Sequence, residues 1–328
     1  MSVPIGVLSA AHVHTGGFMG SLSSLPDADL VGLADDDTER GAATAERFDV
    51  PLLDTDELLS RVDVVVVCST NADHETWVDA AAAAGVDVLC EKPLAPTLEQ
   101  AHRIVETCEA ADVRLGLCMP LRFTDAAFHA KQALADGEIG TLHAVSGTNR
   151  GRMPGGWFVD PDAAGGGACM DHTVHVVDLV HELTGERVVE VYAELDTRFH
   201  DIPVDDVNVL SMELSDGSQF ILDGSWSRPA HWHTWGGASL ELHGTAGTVS
   251  FDCFDQTITH TTDTGENPGL RSVFWGANTN ARLVADFIDA VRNDRPPEIT
   301  GREGAAAVAV VEAAYRSAEC GTAVDVQY

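Results

Sequence analysis

Residues 86–93 read Val86-Asp87-Val88-Leu89-Cys90-Glu91-Lys92-Pro93, an apolar run that stops at a charged pair and a proline. A similar apolar run covers residues 62–67, and a helical pattern over residues 74–84 lies between the two. Strands that alternate with helices in this way predict a parallel, doubly wound sheet. Ligands bind such sheets beyond the carboxyl ends of the strands, where Lys92 would lie. Because the chain has only two lysines, Lys92 and Lys131, we interpret Lys92 as a functional residue rather than a surface charge.

The alternation extends over the first 121 residues and predicts an α/β dinucleotide-binding domain with a Rossmann-type sheet. Strands are predicted at residues 3–8, 29–34, 62–67, 86–90 and 114–118, and helices at residues 17–24, 38–48, 74–84 and 97–111.

The pattern changes near Arg122, and residues 122–328 predict an α+β domain for substrate binding and oligomerisation. Its predicted strands are residues 142–148, 188–195, 207–214, 218–227, 239–243 and 248–251, and its helices are residues 125–136, 171–183, 278–292 and 304–318. Hairpin signals at Asp216-Gly217 and Ala246-Gly247 indicate a large, mostly antiparallel, open-faced sheet. The last two helices are candidates for packing back onto the first domain.

The composition indicates an acidic, globular protein. The 328 residues carry 52 acidic and 19 basic side chains, for a formal net charge of −33, and the carboxylates are scattered rather than collected in a tail. Such a surface argues against nucleic acid and anionic membranes as partners, since both are negatively charged. Self-repulsion on this scale is screened by salt, so we expect a protein from a halophile.

The seven cysteines indicate a reducing compartment. Their number is odd, and no C-x-x-C pair occurs among them. We therefore expect free thiols in a cytoplasmic protein. The first strand follows the amino terminus directly, so we expect no signal peptide, and no apolar run reaches the roughly 18 residues of a membrane span.

The turn after the first predicted strand is a candidate phosphate site. A dinucleotide fold usually carries G-x-G-x-x-G here, whereas this chain places Ser9, Ala11 and His14 at the glycine positions. Small residues at two of the three positions still allow close backbone approach, and a helix N-terminus still favours an anion. His14 is the main departure, and His12 lies in the same turn.

Asp35 follows the second predicted strand, about 20 residues beyond the turn, where an acidic residue accepts hydrogen bonds from a ribose 2′-hydroxyl. Asp36 adds a second carboxylate, and the first arginine after it is Arg40. Carboxylates there would repel a 2′-phosphate, so the sequence favours NAD over NADP. The alternative is that Asp35 belongs to an ordinary solvated acidic turn.

A third group of residues lies in a glycine-rich segment that leads into a helix, residues 165–179. Asp171, His175 and Asp178 share one helical face at positions i, i+4 and i+7. A carboxylate that orients an imidazole would give a general base near neutral pH. Two alternatives stay open: a metal site of His172, His175 and Asp178, and a purely structural helix. Without H-E-x-x-H or clustered cysteines, we expect no metal.

These motifs together resemble the Gfo/Idh/MocA oxidoreductases, the glucose–fructose oxidoreductase and inositol dehydrogenase family. The resemblance covers nearly the whole chain and is carried by these segments: Ile5 to Ala11, Val67-Cys68-Ser69-Thr70-Asn71 with His74, Glu91-Lys92-Pro93, Arg122-Phe123, the glycine-rich helix, and Ala314-Tyr315-Arg316-Ser317-Ala318. It implies that Lys92, Asp171 and His175 form the catalytic group. It also implies a nicotinamide bound between the domains, and a homodimer or homotetramer formed through the open face of the second sheet.

The sequence therefore predicts an NAD-dependent oxidoreductase that acts on a sugar, polyol or related hydroxy compound. Candidate cofactor contacts are Ser9, Ala11, His12, His14, Asp35, Ser69, Asn71, His74, Glu91 and Lys92; candidate substrate contacts are Arg122, Trp157, His172 and Asp178. Either Lys92 or His175 could be the proton acceptor. An NAD-using lyase, epimerase or glycosidase, and a non-catalytic sensor of the same fold, are the alternatives.

Overall fold

The computed structural model describes residues 2–262, 269–274 and 276–328. The N-terminal half folds into a five-stranded parallel sheet with the strand order β2-β1-β3-β4-β5. Its strands are β1 (Val3–Leu8), β2 (Ala28–Ala34), β3 (Val64–Val67), β4 (Asp87–Cys90) and β5 (Leu115–Leu117). The accompanying helices are α1 (Thr15–Ser24), α2 (Thr38–Phe48), α3 (Thr55–Leu59), α4 (His74–Ala83) and α5 (Leu98–Ala110).

The all-valine strand β3 shows why this sheet is parallel and central. All four of its side chains are buried, with Val65 and Val67 in one apolar core and Val64 and Val66 in another on the opposite face. A strand buried on both faces needs helices on both sides, as crossover connections provide. The predicted doubly wound α/β sheet is confirmed.

The C-terminal half is built on a seven-stranded sheet with the order β11-β10-β6-β9-β8-β7-β14. Its strands are β6 (Leu142–Asn149), β7 (Val188–Asp196), β8 (Val207–Leu214), β9 (Gln219–Asp223), β10 (Ala238–Gly244), β11 (Thr248–Asp252) and β14 (Val324–Asp325), and a separate hairpin consists of β12 (Thr257–Thr262) and β13 (Gly269–Phe274). The helices are α6 (Asp125–Ala135), α7 (Pro161–Ala164), α8 (Ala168–Thr184), α9 (Thr279–Arg292) and α10 (Gly301–Cys320). Every neighbouring pair in the seven-stranded sheet is antiparallel except β6 with β9. The mostly antiparallel sheet is confirmed.

Side chains of β8 alternate strictly between buried and exposed, so one face of this sheet packs inward and the other is open. The inward face covers α8, which is buried along almost its whole length. Helix α9 crosses back to the first sheet, where Phe287 fits against Gly116 of β5. None of the helices in the described part of the chain is both long and apolar enough to cross a membrane.

Some elements differ from the sequence expectation. The strand predicted for residues 218–227 ends at Asp223, because Gly224 and Ser225 leave the ladder and bond to Asn208 instead. Helix α8 begins three residues before the predicted start at residue 171. Helix α3, the β12–β13 hairpin and strand β14 were not predicted. The neighbours of β1 are β2 on one side and β3 on the other, so the sheet's topological switch point, where ligands bind in such folds, lies between β1 and β3.

Candidate active site

The N-terminus of helix α8 is held by Asp205, which lies in the connection between β7 and β8. The helix starts after Gly167 with no side-chain cap of its own. Asp205 replaces that cap: its carboxylate accepts hydrogen bonds from the backbone N–H groups of Gly167 at 3.0 Å and Cys169 at 2.8 Å, and from the Tyr315 hydroxyl at 2.7 Å. A side chain on Gly167 would place its Cβ 1.9 Å from the Asp205 carbonyl oxygen. The first turn of α8 is thus fixed against α10.

The first turn of α8 carries Asp171, whose carboxylate forms a salt bridge with the ammonium group of Lys92. Lys92 is only 2% exposed and Asp171 only 9%. The second carboxylate oxygen accepts a hydrogen bond from the indole N–H of Trp226 at 3.2 Å. Burial alone would raise the pKa of Asp171, but the charge and the hydrogen bond of Lys92 outweigh it and hold the pKa far below its ordinary value. The Asp171 carboxylate is therefore ionised at neutral pH.

His175 lies one turn further along α8 and is also buried. Burial, and next the charge of Lys92, lower the pKa of His175 well below its ordinary value, so the imidazole is neutral and able to accept a proton. The sequence interpretation had Asp171 orient this ring. In the structure the Asp171 carboxylate is bound to Lys92 and Trp226, and within the described residues the Nδ1 atom of His175 has no hydrogen-bond partner.

His172 has a defined tautomer. Its Nδ1 atom lies 2.8 Å from the Gly224 carbonyl oxygen and must donate to it, which leaves a lone pair on Nε2 when the ring is neutral. Burial lowers the pKa of His172, which favours that neutral form. The Nε2 atom lies 3.3 Å from the Asp171 carboxylate. The lone pair on His172 Nε2 and the Asp171 carboxylate oxygen, both hydrogen-bond acceptors, therefore lie next to each other.

Lys92, Asp171, His172 and His175 all line one cavity of about 560 Å³ between the two sheets. His14 of the turn after β1 lines it as well. The remaining wall is mostly apolar and aromatic, and it includes Phe18, Leu121, Phe158, Trp235 and Phe254. The structure thus brings the three candidate catalytic residues together, at the carboxyl ends of the strands of the first sheet.

The turn after β1 keeps a glycine-like backbone although the glycines are gone. Ser9 has φ = 64°, the left-handed region that a glycine adopts without strain. Trp157 donates its indole N–H to the Ala11 carbonyl oxygen at 2.9 Å, which ties the second half of the chain to this turn. His12 is buried against Trp157 and Phe158. Burial lowers the pKa of His12 well below its ordinary value.

Asp35 lies beside the same turn but its carboxylate is already occupied. It accepts hydrogen bonds from the backbone N–H groups of Ala10 at 2.7 Å and Asp37 at 2.8 Å, and it forms a salt bridge with Arg40 at 2.5 Å. The Asp35 side chain is fully buried, whereas the Arg40 side chain is one-third exposed and also reaches Asp36. Arg40, which the sequence analysis notes only as the first arginine after Asp36, therefore covers the Asp35 carboxylate.

Of the other candidate cofactor residues, His74 and Glu91 support the segment around Lys92, whereas Asn71 and Ser69 bond elsewhere. His74 donates from Nδ1 to the carbonyl oxygens that follow Lys92, Pro93 at 3.0 Å and Leu94 at 3.2 Å. The Asn71 amide donates to Ala164 at 2.8 Å, and its own oxygen has no partner within the described residues. Ser69 donates to the Thr70 carbonyl oxygen. Glu91 is fully buried and accepts a hydrogen bond from the Lys92 backbone N–H.

Arg122 and Asp178 lie apart from the cavity lining, in a buried ion cluster. Arg122 binds Asp178 with two hydrogen bonds of 2.6 and 2.8 Å, and it also contacts Glu182 of α8 and Glu303 of α10. Its side chain is only 4% exposed. These two residues anchor α8 and α10 to the segment that follows β5. Trp157 was also a candidate substrate contact. It contacts the turn after β1, and its stacked neighbour Phe158 lines the cavity.

Three functional positions escaped sequence reasoning. Asp205 and Trp226 fix α8 and Asp171, and Trp235 forms part of the cavity wall. Each approaches the site from a loop far along the chain, so no local pattern predicts it. The only available signal was the unusual density of tryptophan and histidine in residues 226–235.

Comparison with known proteins agrees with this arrangement. Residues 5–118 match the model of the oxidoreductase family with an NAD-binding Rossmann fold, and residues 128–250 match the GFO/IDH/MocA C-terminal domain. The chain belongs to the Gfo/Idh/MocA oxidoreductase family. The resemblance noted in the sequence is thereby confirmed, and so is the assignment as an NAD-binding oxidoreductase.

Several members of the Gfo/Idh/MocA family are similar over their whole length. Myo-inositol 2-dehydrogenase of Thermotoga maritima is 28% identical over 327 residues, 96% of each chain. D-xylose 1-dehydrogenase (NADP(+)) 2 of Haloferax volcanii is 25% identical over 98% of each chain. The crystal structure of GenD2 from gentamicin A biosynthesis, in complex with NAD, has a TM-score of 0.91 and 28% identity, and the match covers 100% of this chain and 97% of that one.

Proposed function

We propose that this protein is a dehydrogenase that transfers a hydride between a nicotinamide dinucleotide and a CH–OH group of a sugar or polyol. The observation that carries the proposal is the buried Lys92–Asp171 ion pair, which lines one cavity with the neutral His175. The cavity opens at the strand ends where a dinucleotide fold binds its ligand. The named relatives that act on inositol and xylose support the substrate class.

The residues present fit a dinucleotide. The turn from Ser9 to His14 leads into the N-terminus of α1, which favours a phosphate group, and Ser9 keeps the backbone conformation that the glycine fingerprint provides. The amide oxygen of Asn71, which has no partner among the described residues, is a candidate acceptor in the segment that follows β3. A bound nicotinamide supplies the hydride acceptor or donor of the reaction.

His175 and Lys92 share the proton chemistry in this proposal. The neutral imidazole of His175 takes the proton of the substrate hydroxyl as the carbon–hydrogen bond breaks. The ammonium group of Lys92 donates a hydrogen bond to the same oxygen and stabilises its developing negative charge. Asp171 holds that ammonium group in place, and Trp226 fixes the carboxylate from the other side.

NAD is the favoured cofactor in this proposal. Asp35 and Asp36 place two carboxylates at the end of β2, against the single guanidinium group of Arg40. The net negative charge disfavours a 2′-phosphate and leaves the hydroxyls of an NAD ribose as the better partners.

The proposal is tested by binding and turnover together. NADH and NADPH are each titrated into the purified protein, with energy transfer from tryptophan to the bound nicotinamide as the signal, and a panel of polyols and aldoses is then screened for NADH production. Lys92→Met and His175→Gln should abolish turnover of any substrate found while NADH still binds, and the exposed His102→Ala should change neither. Unchanged turnover in Lys92→Met would refute the assigned roles. Substrate conversion without net NADH would point to the redox-neutral alternative.

We also propose a homo-oligomer formed through the open face of the second sheet. Apolar side chains at Val189, Tyr192, Val209 and Ile221 are 37–52% exposed on three adjacent strands of that sheet. A face of this kind marks an interface in soluble proteins. Light scattering after gel filtration tests it, and Ile221→Asp should yield monomers.

The seven free cysteines support a cytoplasmic location, and the net charge of −33 supports adaptation to high salt.

A further inference from the structure

The turn after β1 and the end of β4 bring two imidazoles and a carboxylate together. The Nδ1 atom of His14 lies 3.1 Å from Oε1 of Glu91, and the Nδ1 atom of His12 lies 3.3 Å from the same oxygen. These donor atoms all lie within 4.8 Å of one another. Among the residues that the structure describes, this is the one group with the geometry of a metal site. We propose that His12, His14 and Glu91 bind a divalent transition-metal ion.

The spacing of the donor atoms fits a shared ion. Two ligands of a tetrahedral Zn²⁺, with bonds of about 2.0–2.1 Å, lie about 3.3–3.4 Å apart. The two nitrogen-to-oxygen distances are close to that value before any ion is present. Two imidazole nitrogens and one carboxylate suit Zn²⁺, Co²⁺ or Ni²⁺ better than Mg²⁺ or Ca²⁺, which prefer oxygen ligands.

The hydrogen bond to the His12 ring shows that its Nδ1 atom is an acceptor. The backbone N–H of His14 donates to this atom at 3.2 Å, so Nδ1 carries no proton of its own. The same Nδ1 atom lies 3.3 Å from the Glu91 oxygen, and the side chains of both residues are fully buried. Two acceptors without a proton between them repel each other, and burial strengthens the repulsion. A cation that replaced the His14 N–H as the partner of this lone pair would turn the contact into an attraction, at the cost of that one hydrogen bond.

The surroundings allow a cation and leave one coordination position open. The nearest ammonium group, that of Lys92, is neutralised by Asp171, and the second oxygen of Glu91 is held by the Lys92 backbone N–H. His12 and Glu91 have fully buried side chains, whereas the His14 side chain is 38% exposed and lines the large cavity. Three protein ligands with a fourth position facing a cavity are the arrangement of zinc sites that bind water or a ligand.

The test is calorimetric titration of the chelator-treated, tag-free protein with ZnCl₂ and, in parallel, the visible absorption of bound Co²⁺. Cys320 is an exposed thiol that could bind zinc by itself, so all measurements use a Cys320→Ser background. We expect one equivalent of either ion to bind. His14→Ala should weaken binding at least about tenfold, because a ligand is lost, whereas His102→Ala should leave it unchanged.

His14→Ala is the decisive variant because its side chain is partly exposed and its loss leaves the core intact. Glu91→Gln provides a second variant, and its melting temperature shows whether the fold survives. The proposal is overturned if no one-equivalent binding occurs in the Cys320→Ser protein. It is equally overturned if His14→Ala binds both ions as the parent does. None of these readouts depends on turnover, so the result stands independently of the proposed dehydrogenase activity.

Discussion

Replacing Lys92 by methionine separates the structural role of the Lys92–Asp171 pair from its chemical role. Lys92 is 2% exposed and its main partner is the Asp171 carboxylate, which is 9% exposed. Methionine keeps the apolar stem and removes the charge. Asp171 is then left as a buried anion whose one remaining strong donor, within the described part of the chain, is the Trp226 indole. Removing one member of a buried pair costs about 3–5 kcal/mol.

The double variant Lys92→Met/Asp171→Asn removes the stranded charge. Asparagine retains a carbonyl oxygen for the Trp226 indole, so no new unsatisfied acceptor appears. We therefore expect the double variant to recover most of the stability, to within about 1–2 kcal/mol of the wild type, while turnover remains absent in both proteins.

Thermal melting followed by circular dichroism, in one fixed salt concentration, measures the difference. The loss expected for Lys92→Met corresponds to a melting temperature lower by roughly 4–7 °C, because the entropy of unfolding scales with the 328 residues of the chain. The double variant should regain most of that interval. If the single variant melts with the wild type, or if the double variant is less stable than the single one, the two groups do not form a buried ion pair and the reasoning is wrong.

Three further changes test other parts of the structure. Burial, followed by Arg187, lowers the pKa of His181 to about 3, so the folded state excludes a proton that the unfolded state binds, and stability is lost as the pH falls below about 6.5. Denaturant titrations of wild type and His181→Gln should show about 2 kcal/mol less loss between pH 7 and pH 5 in the variant; equal losses would contradict the assignment. Gly167→Ala should cost at least about 2 kcal/mol, since its Cβ would meet the Asp205 carbonyl oxygen at 1.9 Å, whereas Gly20→Ala, whose Cβ would meet no described atom within 4 Å beyond its own helix backbone and chain neighbours, should not destabilise α1. Arg40→Ala removes the cation beside Asp35, so the Kd of NADPH should rise at least about tenfold relative to that of NADH, and an unchanged ratio would show that Arg40 does not face the ribose.

The architecture was accessible from the sequence because its signals are local. Strand β3 is a run of four valines, α2 begins at an aspartate that caps it, and the Asp216-Gly217 turn joins β8 to β9 as a hairpin. Periodicity and turn chemistry of this kind act over a few residues and survive in almost any tertiary context. Short elements such as α3 lack such a pattern and depend on contacts with distant residues.

The site was only partly accessible, because tertiary partners decide what each charged residue does. Helical spacing places Asp171 and His175 on one helix beside a cavity, but it cannot show that the Asp171 carboxylate is bound to Lys92 from the loop after β4. The same limit applies to Arg122 and Asp178, which bind each other in an ion cluster outside the cavity lining. Spacing in the sequence indicates which side chains share a helical face, and only the fold shows which residue binds each of them.

The hydrogen bond from Trp157 to the Ala11 carbonyl oxygen joins positions that are 146 residues apart. The bond connects the stacked pair of Trp157 and Phe158 to the turn that follows β1, and His12 is packed beneath that pair. The turn belongs to the N-terminal half and the aromatic pair to the C-terminal half. A chimera that exchanges only the N-terminal half with a relative would therefore separate this turn from the aromatic residues that pack on it. Grafting experiments between family members should transfer residues 156–159 together with residues 9–14, so that the two matched surfaces are inherited as one piece.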